Sequence, residues 1–422
     1  MPDREEVRLE GPAPPVAPPE EEGRAAGEEV AAAAERVTLA AAAVRGVGWQ
    51  ERFVVPVLAV VVALAVGALV IVFTSEEPLR EWAGFFRDPL EALRASGRVV
   101  ADAYLALFRG ALGSANALSE TLLVAIPLVY TGLSVAFGFR AGLFNIGAEG
   151  QLTAGAILAS AAGFSLTGLP GPLVVGAVVL AGFVGGALWG AVPGLLKAKT
   201  GAHEVITTIM LNFVAGFLAL YLLQTAFFRR PDRLDPISKP VLEAFPRVFG
   251  TGVRLHAGFL VALLVAALVA WVLNRTTVGF EFQAVGANPD AARAAGMSPT
   301  RTFVVVMALA GGIAGMGAAN QLLGVTPSLT PGFSSGFGFD GIAIALLGRA
   351  RPAGVVAAAL LFGILRNGSR SLQAATQIPV DIVTVITALV ILFVAAPSLV
   401  RAIFRLRRGA GRPAGLGVGW GP

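Results

Sequence analysis

Residues 53–73 read FVVPVLAVVVALAVGALVIVF, a run with no charge and no hydrogen-bonding side chain. At about 1.5 Å per residue a helix of that length spans about 30 Å, the thickness of a bilayer's hydrocarbon core. Lipid offers no partner to backbone N–H and C=O groups, so the run is expected to be a transmembrane helix. The rest of the chain agrees. It is 55% hydrophobic and 14% charged, against about 25% charged in soluble domains, so lipid must be the solvent for most of its surface.

Working outward, apolar runs recur at about 120–138, 146–165, 172–196, 205–225, 257–274, 302–324, 337–348, 353–367 and 380–400. The expected fold is therefore an all-α integral membrane protein of about ten transmembrane helices. The runs near 146–165 and 337–348 are short, glycine-rich and carry polar residues, which suits broken helices inside a protein-lined path. With the N-terminus inside, Arg140, Lys197, Lys199, Arg275, Arg293, Arg301, Arg349, Arg351 and the arginines of 401–412 fall on the inner side, as the positive-inside rule requires. This reading places both termini in the cytoplasm and makes the number of spans even. The amphipathic stretch 74–119 is read as lying at the outer interface, and the proline-bearing 226–256 as an outer loop.

Residues 1–45 are rich in Glu, Pro and Ala, with ten acids against four arginines before residue 37. They are expected to be a disordered cytoplasmic tail, followed by a transmembrane domain at 46–408 and a cytoplasmic C-terminal tail at 409–422. The basic remainder of the chain fits inner loops rather than nucleic acid. The absence of cysteine excludes disulfides and thiol nucleophiles. His203 and His256 stand far apart with no ligand spacing, so neither a metal site nor a catalytic constellation is expected.

The stretch Arg140–Gln151, RAGLFNIGAEGQ, carries the chemistry. Asn145, Glu149 and Gln151 sit at or within an apolar span. An intramembrane carboxylate is a functional-site hypothesis by default; the plainer reading is that Glu149 pairs with Arg140 and fastens the helix end. GFRAG (138–142) and GFSSG (332–336) open the two glycine-broken stretches from opposite sides, so spans two to five and seven to ten read as an inverted repeat with a solute path at their junction. On that reading Ser334, Ser335 and Asp340 mirror the Asn145–Glu149 region, although Ser and Asp also cap helices. Asn320 and Gln321 follow the small-residue run GGIAGMGAA and are further candidates for the path. His203 and Glu204 start a span from the inner side, as an inner gate or as helix-terminus electrostatics.

Between the sixth and seventh spans, Asn288-Pro289-Asp290 has helix-starting chemistry, AARAAGM follows, and Gly296 can end the helix. A short helix lying along the inner face is expected there.

GLFNIGAEGQLTAGA (142–156) resembles the signature of ATP-binding-cassette (ABC) importer permeases for nucleosides and simple sugars, within the branched-chain amino acid and simple sugar permease superfamily. GAHEVITTIMLN (201–212), VGFEFQAVGANPDAARAAGMSPTR (278–301) and GFGFDGIAIALLGRARPAGVVAAALLFG (336–363) resemble further blocks of that group, and the resemblance covers about 120–404. It implies a permease fold like that of the vitamin B12 importer. It makes the inner helix a coupling helix to an ATPase, with Asn288, Pro289, Asp290, Ala291, Ala292, Arg293 and Gly296 as its residues. It also implies a second permease subunit, two ATPase subunits and an extracytoplasmic solute-binding protein, in a bacterial or archaeal plasma membrane. No G-x-x-x-x-G-K-[ST] occurs, so ATP and Mg are assigned to the partners and no cofactor to this chain. The expected solute is a nucleoside, with a simple sugar next. A branched-chain amino-acid permease and an ion-coupled secondary transporter are the rivals.

Overall fold

A computed structural model describes residues 54–404 apart from 249, 251, 377 and 380; the expected tails, 1–45 and 409–422, lie outside the described residues. The described chain is helical, its one bridge joining Arg229 to Ser238. In order the helices are α1 (Val55–Thr74), α2 (Glu76–Ala83), α3 (Pro89–Leu112), α4 (Ala115–Arg140), α5 (Ala148–Ser165), α6 (Gly171–Thr200), α7 (Glu204–Gln224), α8 (Gly258–Arg275), α9 (Thr277–Ala287), α10 (Pro289–Ala294), α11 (Pro299–Gly324), α12 (Phe337–Leu347), α13 (Pro352–Thr376), α14 (Asp381–Ala395) and α15 (Pro397–Ile403). Seven of them, α1, α4, α6, α7, α8, α11 and α13, are long and apolar enough to cross a membrane. Helices also occupy the other three expected stretches, as α5, α12 and α14. Of these, α12 and α14 are shorter apolar helices, and α5 is an 18-residue helix rich in Gly, Ala and polar groups.

The reason α5 tolerates its polar residues is burial in protein rather than lipid. It is enclosed on nearly every side by α6, α7 and α11. The tightest seam lies between α6 and α11. Gly182, Gly186, Gly190 and Gly194 recur every fourth residue on α6 and face Gly315, Gly311, Met307 and Phe303 of α11 backbone to backbone. A Cβ on Gly186 would collide with the Gly311 carbonyl, and one on Gly315 with that of Gly182. Apolar side chains gain little by leaving lipid, so close backbone approach with its dispersion contacts is what holds such helices together. Gly155 of α5 meets the same point, against Gly182 and Gly315.

The stretch 74–119 differs from its sequence reading. It holds a 24-residue helix, α3, capped by Asp88, and this helix does not lie apart from the bundle. Leu107 packs at Gly368 and Gly110 at Ser371, so α3 runs parallel to α13. The Tyr104 hydroxyl donates to the Leu64 carbonyl of α1, and Trp82 Nε1 donates to Ser96 Oγ. Helix α3 therefore runs back antiparallel to α1 and α2, and Ala103 and Leu107 join Ile71, Leu365 and Ile386 in a second apolar cluster. Its interspersed charges hid this in the sequence.

Candidate functional site

Helix α4 ends at Arg140, and Gly142, at φ +70°, turns the chain so that Leu143 N donates to the Gly138 carbonyl. The turn is locked by two amides facing each other. Asn145 Nδ2 donates to Gln151 Oε1 (2.9 Å) and Gln151 Nε2 donates to Asn145 Oδ1 (3.1 Å), while Gly147 N and Ser134 Oγ take the remaining capacity of Asn145. Both side chains are buried, and buried amides this well paired avoid the cost of an unmet donor, roughly 1–3 kcal/mol each. The structure turns Asn145 and Gln151 onto one another. From α7, Asn212 accepts from Gly150 N (2.8 Å) and donates to the Ile146 carbonyl (3.0 Å), closing the same turn.

Glu204, at the start of α7, is buried and accepts from Lys197 Nζ at 2.6 Å and from Phe144 N at 3.4 Å. It thus joins the end of α6 and the start of α7 to the turn. His203 is half exposed, with Nδ1 4.0 Å from the Glu204 carboxylate.

Glu149 has a different partner from the one its sequence neighbourhood suggested. Arg140 reaches toward Asn274 (3.4 Å). Glu149 instead accepts from Gly336 N (3.2 Å) and Gly338 N (2.7 Å), the free donors at the start of α12. This approach needs Gly338, where a Cβ would collide with the Glu149 backbone, and the left-handed turn at Ser335 (φ +47°) and Gly336 (φ +76°). Beside it Arg366 of α13 donates to Asp340 (3.0 Å) and to the Ser335 carbonyl (2.7 Å), and its guanidinium lies 4.5 Å from the centre of the Phe337 ring. Ser334 is buried and Ser335 exposed. The first turn of α12 is thus held from α5 by Glu149 and from α13 by Arg366. The two carboxylates outnumber the guanidinium by one charge, which the positive end of α12, about half an elementary charge, partly offsets. The Asp340–Arg366 pair is about one-third exposed, so this charged joint reaches the protein surface.

Asn320 and Gln321 belong to another node, at the far end of α11. Asn320 Nδ2 donates to the Gly258 carbonyl (2.9 Å) and lies 3.4 Å from the Tyr130 hydroxyl. The Gln321 carbonyl accepts from Val325 N and Thr326 N, ending the helix. His256, in the loop before α8, accepts from Gly258 N at Nδ1 and stacks flat on Phe245 at 5.6 Å. Its burial, with Arg254 nearby, pushes its pKa down to about 4, so the ring is neutral at physiological pH.

Between α8 and α11 the expected single helix is two. Helix α9 stops at Asn288, whose Oδ1 accepts from Asp290 N and Ala291 N (3.0 Å each) to start α10. Pro289 occupies the first turn, Asp290 pairs with Arg293 (2.8 Å), and Gly296 ends the segment at φ +83°. Ala292 is buried, while Asn288, Pro289, Asp290, Ala291, Arg293 and Gly296 are exposed. Helix α9 seats this foot directly on the turn after α4. A Cβ on Gly142 would stand 2.7 Å from the Gly286 carbonyl.

The residues that sequence reasoning missed are Arg366 and Asn212. Arg366 was legible as a lone charge inside an apolar run, which is itself a flag; Asn212 offered only its place two turns into a span.

The chain is similar to known transport proteins. The family model described as the permease component of branched-chain amino acid transport systems matches residues 117–395. The guanosine ABC transporter permease protein NupP of Bacillus subtilis is 35% identical over 356 residues, 84% of this chain and 96% of its own length. The glucose ABC transporter permease protein TsgB13 of Haloferax volcanii is 36% identical over 352 residues, 80% of this chain and 86% of its own. A second guanosine ABC transporter permease protein of B. subtilis, NupQ, is 25% identical over 256 residues, 58% of this chain and 79% of its own. No solved structure matches.

Proposed function

This chain belongs to the permease-component family of branched-chain amino acid transport systems, and from that membership we propose that it carries a nucleoside, with a simple sugar as the next choice, through an ATP-driven importer. The observation that carries the choice of solute is the 35% identity to a guanosine permease across 84% of the chain; the glucose permease supports the second choice. The match of two guanosine permeases from one organism supports a second permease subunit as partner.

In the proposed assembly two permeases enclose one path, two ATPase subunits hold ATP and Mg, and an extracytoplasmic binding protein delivers the solute. The importer sits in the plasma membrane of a bacterium or archaeon with α9–α10 in the cytoplasm. The proposed fold is that of the vitamin B12 importer. Support for its inverted repeat comes from α5 and α12, each of which follows a GFxxG stretch whose last glycine, Gly142 or Gly336, is left-handed. The α9–α10 foot acts as the coupling segment and is pushed when the ATPases close. Its contact at Gly142 and Gly286 passes the motion to the turn that carries Glu149. The joint of Glu149, Ser335, Asp340 and Arg366 forms the polar edge of the path, and His203 and Glu204 brace its inner end. An ion-coupled mechanism would leave the exposed α10 without a partner.

The reading is tested by uptake into proteoliposomes holding the whole importer, with radiolabelled guanosine, ribose and leucine in competition. ATP-dependent guanosine uptake that excess leucine leaves unchanged is the expected result. Leucine uptake, or uptake that follows an ion gradient without ATP, would overturn it.

A further inference from the structure

Helix α3 carries a feature that the permease reading does not use. Glu91, Arg94, Arg98, Asp102 and Arg109 lie on one side of it, since successive members are 3, 4, 4 and 7 residues apart and positions three or four apart share a helix face. The other side, with Ala103, Leu107 and Ala111, is buried in the chain. Glu91 is bridged to Arg98 at 3.2 Å and approaches Arg94 at 3.7 Å. Asp102 is exposed and makes no ion pair among the described residues.

Its depth follows from α1. The Tyr104 hydroxyl reaches the Leu64 carbonyl, and Leu64 lies near the middle of Val57–Thr74, the most apolar span of the molecule. Asp102 is two residues from Tyr104, about 3 Å along the helix, so it stands near the bilayer midplane. Arg98 and Arg109 are long enough to reach toward the interfaces, whereas an aspartate is not. A carboxylate at that depth does not face lipid; it pairs with protein or lines a polar cavity.

We propose that the Arg98–Asp102 face of α3 is the seam against the second permease subunit, which presents a cationic or hydrogen-bond-donor side chain to Asp102. The proposal rests on the paired-permease reading above. The ridge suits a protein partner better than a water-filled path because it carries charges of both signs along the helix, Glu91 and Asp102 with Arg94, Arg98 and Arg109, which sets register between two chains, and because exposed Leu105 and Phe108 lie near Asp102 and would pack in the same contact.

The chain has no cysteine, so Asp102→Cys creates a unique thiol. The importer carrying it is purified as the whole complex and labelled with a maleimide benzophenone, then irradiated. The expected result is an adduct with a second permease chain, identified by mass spectrometry. An adduct with lipid alone, or ready labelling of Cys-substituted 102 by a charged maleimide with no protein adduct, overturns the proposal. Asp102→Asn, which keeps shape, is expected to lower the amount of co-purified partner permease by more than about tenfold, since it removes the charge that the partner's side chain faces; unchanged co-purification also overturns it. A wild-type importer that contains no second permease chain would sink the pairing itself, a failure distinct from pairing that bypasses this face.

Discussion

The α6–α11 seam and the first turn of α12 hold the same bundle together by opposite means. At the seam, glycines bring two backbones into contact, and no flexible side chain intervenes. At α12 an 11-residue helix is held at its start by the side chains of Glu149 and Arg366. Dispersion contacts between backbones fail all at once when the spacing changes, because packed interiors do not deform continuously. Charge-assisted hydrogen bonds at a partly exposed joint can be exchanged for bonds to water or solute at a modest net change, about 1.5–3 kcal/mol each. The comparison predicts which part is frame and which part moves: α12 is expected to shift against a seam that does not.

Breaking the seam should have the largest effect. Gly315→Leu forces a side chain into the Gly182 backbone, and overpacking costs about 1–3 kcal/mol even where some relaxation is available. Here backbone stands in the way, so little folded protein is expected by size-exclusion chromatography. Normal yield and melting temperature would show that the seam is not the frame.

Breaking the joint should separate transport from stability. Glu149→Gln keeps the shape and removes the charge facing α12. Uptake is expected to fall about tenfold or more, equivalent to about 1.4 kcal/mol, with assembly intact. Normal uptake would reduce Glu149 to a fastener. Arg366→Lys keeps the charge but loses the forked geometry that reaches both Asp340 and the Ser335 carbonyl, so a smaller loss is expected, about threefold, and Arg366→Met should be worse than Arg366→Lys. Equal losses would mean that charge alone matters.

The neutral node at the other end of α11 gives the smallest effect at neutral pH, and a pH signature. His256 has a folded pKa of about 4, below the unfolded value of about 6.5. The unfolded chain therefore binds the proton first, and stability falls as pH drops from about 6.5 toward 4, by up to about 3 kcal/mol. Above pH 7 no effect of this group remains. His256→Gln should flatten that part of the melting-temperature profile, and a wild-type-like slope in the variant would assign it elsewhere.

Much of this was legible in residue patterns. Continuous apolar runs located the long helices because lipid enforces helix wherever the run is long enough. The foot was legible because Asn288, Pro289 and Gly296 are local signals that act within one turn. What escaped were long-range partners. Glu149 was marked as important, but its partners, Gly336 and Gly338, lie nearly 190 residues away, and the nearby Arg140 was the wrong guess for that reason. Asn145 and Gln151 were read as facing a path, and burial turned them inward as a pair. Helix α3 was set at the surface because its charges lower its mean hydropathy, although its alanine face, Ala92, Ala95 and Ala103, is buried.

The claim that α12 moves while the seam stays fixed can be measured directly, since the cysteine-free chain accepts spin labels at chosen sites. In the reconstituted importer, one doubly labelled variant, Ser335→Cys with Leu188→Cys, reports on α12 against α6, and another, Arg301→Cys with Leu196→Cys, spans the seam. Adding ATP is predicted to shift the first distance distribution and leave the second unchanged. An unmoved first pair, or a seam that opens as far as α12 shifts, would contradict the account.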